Sequence, residues 1–292
     1  MVLAAFASLM LAALPSADAV VKREADAWHA QRLERLRAED GWLSLVNLVW
    51  LDEGDTAIGS SEGSGVMLPP SAPKRLGTLH RKGEEVSFTP APGVDVVTSE
   101  GAPFRGGPLT NVTLRTGSIT FQALQRGERI GVRVKDSQSP TRTGFTGIAR
   151  FEPRMAWRKE ARWEPAKEGE TIRIPSVIGG EHESPLAGTA HFTHEGKPYQ
   201  LRATREGDEL FFVFGDATNR DLSYGAGRFL YTALPEETPE GPRVVLDFNR
   251  AYNPPCAFTP YATCPLPPPG NKLKLRVEAG EQRWEKPGAK SK

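Results

Sequence analysis

Apolar and polar residues alternate along much of the chain, and glycine-containing turns interrupt the alternation. Residues 119–123 and 130–134 each follow this two-residue period, with a polar stretch at 125–128 between them. Such a period places apolar side chains on one face of an extended strand. The two segments therefore predict a β-hairpin, which lies in a first β-rich unit over residues 42–140.

A second β-rich unit is predicted over residues 141–284. Its apolar segments at 190–192, 199–203 and 210–214 are joined by turns that contain Glu-Gly, which predicts a meander. The last of these segments has no polar alternation, so we expect a central strand that is covered on both faces. Further strands are predicted at 228–231, 244–248 and 273–277.

A helical period occurs near the amino terminus. Apolar residues at three- and four-residue steps from Ala25 to Leu36 predict a helix within residues 20–41, which Gly41 ends. Many short strands and one helix predict an all-β protein, built from mainly antiparallel sandwich or partly open barrel units. The polar residues 285–292 predict a disordered tail.

The first residues of the chain are typical of a secretory signal. Residues 2–14 are apolar, and Ala17-Asp18-Ala19 follows as a small-x-small site. This pattern predicts a signal peptide over residues 1–19 and a periplasmic or secreted protein. The apolar run is shorter than the roughly 20 residues that span a bilayer, so no stable membrane insertion is expected after cleavage. No Lys or Arg precedes the run, which leaves the true start codon open.

Charge and motifs narrow the function classes. Lys and Arg total 37 against 36 Asp and Glu, with no long run of one sign, so no nucleic-acid partner is expected. The sequence has no phosphate-binding loop, dinucleotide fingerprint or serine nucleophile elbow, and no cofactor is predicted. His191 and His194 would point to opposite faces of one strand, so no metal site is predicted.

Residues 253–269, which we call the proline segment, contain seven prolines and both cysteines. Proline at this density excludes a helix or a central strand. The segment predicts either a rigid wall of a pocket or a belt that covers an open sheet edge. In an exported protein, Cys256 and Cys264 predict one disulfide, with two buried thiols as the alternative.

Two longer segments carry a family resemblance. Residues 215–231 (GDATNRDLSYGAGRFLY) and 246–271 (LDFNRAYNPPCAFTPYATCPLPPPGN) resemble the signature of a bacterial family known as domain of unknown function 1684. Residues 41–54 and 131–145 also resemble that family. The resemblance implies no activity, cofactor or site residue.

A weaker resemblance concerns the first unit. Ile58-Gly59-Ser60 and Leu68-Pro69 are similar to parts of a forkhead-associated β-sandwich. In that family an arginine after the glycine grips phosphothreonine, and here Ser60 takes its place. The resemblance therefore implies the sandwich and not phosphopeptide binding.

Polar residues gather at the predicted strand ends that flank the proline segment, an arrangement typical of ligand sites. Arg228 is the predicted anion-binding member, because its planar fork can hold a carboxylate or phosphate. Local capping by Asp216 and Asn249, and a cross-strand pair between Arg228 and Asp247, are the structural alternatives. The candidate ligand-binding residues are Asp216, Tyr224, Arg228, Asp247, Asn249, Tyr252 and Asn253, with a second cluster at Arg133, Lys135 and Arg142.

Three functions fit these observations. The favoured one is an exported module without catalysis that binds a small polar ligand or an envelope protein, because no activated nucleophile, metal set or cofactor motif occurs. The second is an enzyme that uses Asp216 or Asp247 as a general base beside Arg228 and Tyr224. The third is a purely structural scaffold. The sequence decides neither the oligomeric state nor the ligand.

Overall fold

The computed structural model describes residues 15–285 and begins with helix α1, Ala17–Arg37. The Ser16 hydroxyl caps this helix by accepting a hydrogen bond from the Ala19 amide at 3.2 Å. The predicted apolar signal run and residues 286–292 of the predicted tail lie outside the described residues. The helix passes through the predicted cleavage point and ends before Gly41, which therefore does not terminate it.

The buried side of α1 differs from the predicted stripe, because Val21 and Arg32 are buried while Trp28, His29 and Leu33 are only half-buried. Its buried residues are Val21, Ala25, Arg32 and Leu36. These residues recur at helical spacing, so a charged side chain occupies a position that the pattern reserves for an apolar one. Arg32 is buried because it reaches a carboxylate near the other end of the described chain, Glu281.

The first unit contains two five-stranded sheets. One sheet has the order β1-β10-β9-β8-β6 and the other has the order β3-β2-β4-β5-β7. The strands of the first sheet are Leu45–Trp50 (β1), Val97–Thr98 (β6), Thr113–Thr116 (β8), Ile119–Arg126 (β9) and Arg129–Asp136 (β10). Those of the second are Gly54–Gly59 (β2), Val66–Met67 (β3), Gly77–Lys82 (β4), Glu85–Pro90 (β5) and Gly107–Pro108 (β7).

These two sheets pack face to face as a β-sandwich. Phe88 of β5 meets Phe121 of β9 edge to face, with 5.2 Å between the ring centroids. Val132 and Val134 of β10 add to the same core, which explains the apolar period of that strand. The predicted hairpin is confirmed as β9 and β10, which pair antiparallel from Ile119 to Asp136. A short helix, α2 (Pro140–Thr143), follows the sandwich.

The second unit is a six-stranded sheet with the order β17-β16-β15-β14-β11-β18, beside a two-stranded ribbon of β12 and β13. The strands of the sheet are Arg158–Pro165 (β11), Gly188–His194 (β14), Lys197–Glu206 (β15), Glu209–Phe214 (β16), Arg228–Ala233 (β17) and Arg243–Asp247 (β18). The ribbon strands are Thr171–Pro175 (β12) and Glu181–Pro185 (β13).

The six-stranded sheet curls into a nearly closed barrel. Its two edge strands, β17 and β18, lie next to each other without a backbone ladder in the described residues. One side chain bridges them, since the Thr232 hydroxyl donates to the Val245 carbonyl at 2.6 Å. We call the line between these two strands the seam.

The predicted meander is confirmed as β14, β15 and β16. The last of these strands is buried on both faces, as predicted. Phe212 and Phe214 point into the barrel core, while Phe211 and Val213 pack against Cys264 of the proline segment. The proline segment therefore covers the outer face of this strand.

The predicted strand at residues 273–277 is wrong. The structure has irregular backbone there, with one isolated bridge between Lys272 and Gly215. Leu273 and Val277 are buried, so the apolar pattern reports burial in the core rather than strand pairing. The backbone of Val277 bonds to the buried side chains of Arg228 and Asp216, whereas Leu273 and Leu275 bond to the backbone just after β16. Among residues 15–285, no helix has the length and apolar character needed to cross a membrane.

Candidate functional site

Arg228 and Asp216 form an ion pair in the interior of the barrel. Both side chains are fully buried, and Nη2 of Arg228 lies 2.7 Å from Oδ2 of Asp216. The guanidinium also donates to the carbonyls of Val277 and Ala279, and the carboxylate accepts from the Val277 amide. The expected cross-strand pair of Arg228 with Asp247 is therefore not formed. Through the bonds to Val277 and Ala279, Arg228 fixes the chain that follows the proline segment. Because no part of Arg228 is exposed, it does not line a pocket.

Two predicted amides have structural roles. Asn249 exchanges two hydrogen bonds with the backbone of Arg154, both at 3.0 Å. Asn253 is fully buried and donates from its side chain to the Gln282 carbonyl at 2.7 Å. Each amide therefore ties one loop to another rather than facing a cavity.

Tyr224 and the two cysteines lie together at the start of the proline segment. The Tyr224 hydroxyl donates to the Cys256 carbonyl at 3.0 Å, and burial raises the pKa of this tyrosine. Both cysteines are thiols, and the Cys256 amide donates to Sγ of Cys264 at 3.1 Å. A hydrogen bond from the Cys264 thiol lowers the pKa of Cys256, and the same bond, together with burial, raises the pKa of Cys264. The predicted disulfide stays a prediction.

Asp247 and Tyr252 line a cleft of about 640 Å³ where α1 crosses the seam, and we call it the seam cleft. Its walls come from α1, from the two unpaired edge strands and from the turn after β18, because the open edge of the barrel leaves a gap that the helix only partly covers. Besides these two residues, the cleft is lined by four arginines, two acidic residues and five others: Arg32, Arg35, Arg158, Arg250, Asp208, Glu209, Trp28, Tyr231, Thr232, Ala233 and Val245.

Asp247 lies at the base of the seam cleft, with its side chain 8% exposed. It stands opposite Arg158 in the register of β11 and β18. Its Oδ1 accepts two hydrogen bonds from Asn249, whereas Oδ2 accepts none from the described residues. The Nε atoms of Arg158 and Arg250 lie 3.7 and 3.5 Å from Oδ2. Oδ2 therefore lies near two positive charges, and it can still accept a hydrogen bond from a ligand.

Aromatic rings form one wall of the seam cleft. Tyr252 packs against Trp28 with 5.9 Å between centroids and is stacked with Tyr231 at 6.4 Å. The guanidinium carbon of Arg32 lies 4.5 Å from the centroid of Tyr252, a cation–π contact. A tyrosine hydroxyl is protonated at neutral pH and can donate a hydrogen bond, and burial raises the pKa of Tyr252 further.

A buried pair that the sequence analysis missed supports this wall. Arg32 contacts Glu281 through Nε and Oε1 at 3.3 Å and donates to the Asn253 carbonyl at 2.9 Å. Glu281 is 1% exposed, and its burial raises its pKa while the positive charge of Arg32 opposes that rise. No local sequence signal links two residues that are 249 positions apart.

The two remaining candidates, Arg133 and Lys135, lie apart from the seam cleft. They line another cavity on the outer face of the first sheet. Arg142 of the same predicted cluster bonds backbone carbonyls at the end of α1 and has a structural role.

The histidines do not form a metal centre with other ligands in the described part of the chain. There, no group of three or more His, Cys, Asp or Glu residues is placed to hold a metal ion. His191 contacts Glu164 at 3.0 Å, whereas His194 stacks on Trp157 with 4.4 Å between centroids.

Comparisons with known proteins give a family and no activity. No curated protein matches the chain. A solution NMR structure of an uncharacterized protein of Haloarcula marismortui is 30% identical in sequence to this chain and superposes on it with a TM-score of 0.40. The match covers 49% of this chain and 80% of the Haloarcula chain. A family model matches residues 143–282, which include the barrel strands of the seam cleft but neither α1 nor residues 41–54. Over residues 143–282 the chain resembles the family described as Protein of unknown function (DUF1684).

Proposed function

We propose that this protein is an exported module that binds a small polar ligand in the seam cleft and performs no catalysis. One observation carries the proposal. At the unpaired edge of the barrel, arginine, aspartate and tyrosine side chains from separate segments converge on one cleft of about 640 Å³. A concave site with a few convergent polar groups beside aromatic rings is the usual form of a small-molecule site.

The side chains of the cleft suit a ligand with an anionic group and a flat apolar face. Arg35 is exposed on α1 and forms no ion pair with a described residue, so its guanidinium is available to a carboxylate or phosphate. Tyr252 and Trp28 supply surface for the apolar face. The free acceptor capacity of Asp247 suits a hydroxyl or amine on the same ligand.

The packing of Asp216 favours binding over the enzyme hypothesis. A general base must come within hydrogen-bond reach of its substrate, and the Asp216 side chain has no exposed surface. Asp247 lies in the cleft, but its neighbours are Arg158 and Arg250 rather than Arg228 and Tyr224. A volume of this size at the seam also supports a binding role over a purely structural scaffold.

Thermal unfolding with a panel of benzoate, indole-3-acetate, glucuronate and succinate tests the proposal. We expect at least one of these anions to raise the Tm of the natural protein. Arg35→Gln and Asp247→Asn should each weaken that binding about tenfold or more, as expected for the loss of a charge-assisted hydrogen bond. Arg23→Gln removes another exposed arginine of α1 that does not line the cleft and should leave binding unchanged. Equal Tm shifts in all three variants would contradict the proposal.

The export part of the proposal has a separate test. We expect the mature protein from its native host to begin at Val20, because the small-x-small site ends at Ala19. Amino-terminal sequencing checks this, and an uncleaved form that begins at Met1 in the cytoplasm would show that the export prediction is wrong. An envelope protein remains the alternative partner, and chemical cross-linking in whole cells would identify it through α1 and the seam.

A further inference from the structure

Arg133 is a buried cation on the outer face of the sandwich. It lies on β10 between Val132 and Val134, whose side chains are in the sandwich core. Because successive side chains of a strand point to opposite faces, Arg133 and Lys135 project from the other face of the sheet. Even there, Arg133 is only 8% exposed.

The guanidinium of Arg133 lacks a polar partner. Its Nε and Nη2 are buried and form no hydrogen bond with any residue of the described chain, and Arg133 has no ion pair in that part of the chain. The described residues give it one cation–π contact, with the Trp42 ring, whose centroid lies 5.2 Å from the guanidinium carbon. Burial lowers the pKa of Arg133, and the positive charge of Arg126 lowers it further. A buried charge without a counter-charge is strongly unfavourable, so such a group needs an explanation.

Two other arginines of this region, Arg142 and Arg129, have polar partners or water around their guanidinium groups. Arg142 donates to the carbonyls of Arg37 at 2.8 Å and Ser137 at 2.6 Å. Arg129 on the same strand also stacks on a tryptophan, Trp50, at 4.1 Å, but it is exposed to water. The missing partner is therefore specific to Arg133 rather than general for this face.

Arg133 lines a cavity of about 530 Å³, a volume within the range of roughly 300–1,000 Å³ for small-molecule sites. Lys135 supplies a second positive charge to the same cavity and donates to the Asp40 carbonyl. Hydroxyl and amide donors surround these cations. Three exposed charged residues also line the space, namely Arg115, Glu39 and Asp40. The donors are Thr113, Ser118, Thr120, Gln122 and Ser137.

We infer that this cavity is a second binding site, separate from the seam cleft, for a small oxyanion that pairs with Arg133. A carboxylate or a phosphate group would supply the ion-pair partner that no described residue gives to Arg133, since Glu39 and Asp40 line the cavity without pairing with it. The planar guanidinium can donate two parallel hydrogen bonds to either group, and the ammonium of Lys135 adds a second positive charge. Hydroxyl groups of the cavity would bind the remaining oxygens.

Isothermal titration calorimetry with inorganic phosphate, succinate and citrate tests the site, with neutral glycerol as the blank. We expect the natural protein to bind at least one of the three anions. Arg133→Met should weaken that binding at least about tenfold, since it removes the charge-assisted hydrogen bonds. Arg129→Met is the matched control. Arg129 lies on the same strand and also stacks on a tryptophan ring, but it does not line the cavity. Its affinity for the anion should equal that of the natural protein.

Unfolding without added anion separates a binding role from a structural one. If Arg133 is present for binding, Arg133→Met removes an unpaired buried charge and should leave the Tm unchanged or raise it. If Arg133 stabilises the sheet through Trp42, the same variant lowers the Tm. Arg133→Lys is the second variant, which keeps the charge and the fold but lacks the planar fork, and it should also bind the anion more weakly.

Binding that is lost in Arg133→Met and retained in Arg129→Met supports the site, and the preferred anion shows whether a phosphate or a carboxylate is the ligand group. Absence of binding by all three anions, or equal affinity in the natural protein and Arg133→Met, would overturn the inference. None of these results depends on Arg35 or Asp247, so the inference can fail while the seam cleft proposal stands.

Discussion

Replacement of Asp216 by asparagine should destabilise the protein strongly, because Arg228 would keep its full charge in the interior with no carboxylate beside it. The two side chains are completely buried and 2.7 Å apart. An asparagine amide in that position would turn either a weaker acceptor or a clashing donor toward the guanidinium. Loss of one partner of a buried ion pair costs about 3–5 kcal/mol, and that is the expected loss in the free energy of unfolding.

Urea unfolding followed by circular dichroism and tryptophan fluorescence measures this loss. With an m value of about 2–3 kcal/mol per M, the unfolding midpoint should fall by about 1–2.5 M urea. Asp221→Asn is the control, because Asp221 also pairs with an arginine, Arg276, but both side chains are about half exposed. An exposed pair of this kind contributes little, so the midpoint of the control should barely move.

Two results would refute the reasoning. A loss below about 1 kcal/mol in Asp216→Asn would mean that water or rearranged backbone reaches Arg228, contrary to its complete burial. An equal loss in the Asp221→Asn control would mean that the measurement reports general charge change rather than the interior pair.

Gly227→Ala should cost about 2–4 kcal/mol, because φ is +98° and the added Cβ would lie 2.6 Å from a β16 carbonyl and from a proline ring. Gly241→Ala has nearly the same φ, +99°, with open space around the Cβ, and should cost only about 1 kcal/mol. Burial lowers the pKa of His29 below its ordinary 6.5, so its contribution to stability is present above pH 6.5 and is lost as the pH falls through its folded-state pKa. His29→Gln should therefore reduce the fall in Tm between pH 7 and pH 5. Oxidised protein should have a mass two hydrogens below that of the dithiol form, and a Cys256–Cys264 bond should add about 2.6 kcal/mol to its stability.

Each of these expectations has its own contrary outcome. Equal losses in the two glycine variants would show that φ alone, and not space, sets the cost. His182→Gln changes an exposed histidine on β13 and serves as the pH control, so the His29 prediction fails if both variants respond alike. Two freely alkylated cysteines in denatured, unreduced protein would contradict the disulfide.

Several regular strands of the two units could be predicted from the sequence because each of these strands carries its own signal. The hairpin of β9 and β10 alternates apolar and polar residues around a short polar turn, and the barrel meander has Glu-Gly turns at both ends of β15. Continuous apolar sequence in β16 correctly predicted burial on both faces. Its physical basis is the proline segment, which occupies the outer face that an antiparallel strand usually leaves to water.

The candidate site could be predicted only in part, since its chemistry depends on pairs that local sequence does not show. Asp247 and Tyr252 were among the predicted candidates and line a cleft in the structure, whereas Arg32 and Arg35 of α1, which line the same cleft, were not predicted. Arg228 was expected to bind an anion because its planar guanidinium can hold a carboxylate or phosphate, and the structure buries it against Asp216. The residue type shows which side chains are charged. Whether such a side chain is buried, and which residue it pairs with, depends on how distant segments of the chain meet.

The pairing of Arg32 with Glu281 has a consequence for the order of synthesis. The helix that carries Arg32 is made first, and the carboxylate that neutralises it is among the last described residues to be made. Until then the apolar side of α1 and the open barrel edge have nothing to cover them. This ion pair therefore forms only after almost all of the described chain has been made, and closure over so long a separation is expected to be slow. Slow closure leaves apolar surface exposed, so the growing chain needs protection from aggregation during that time.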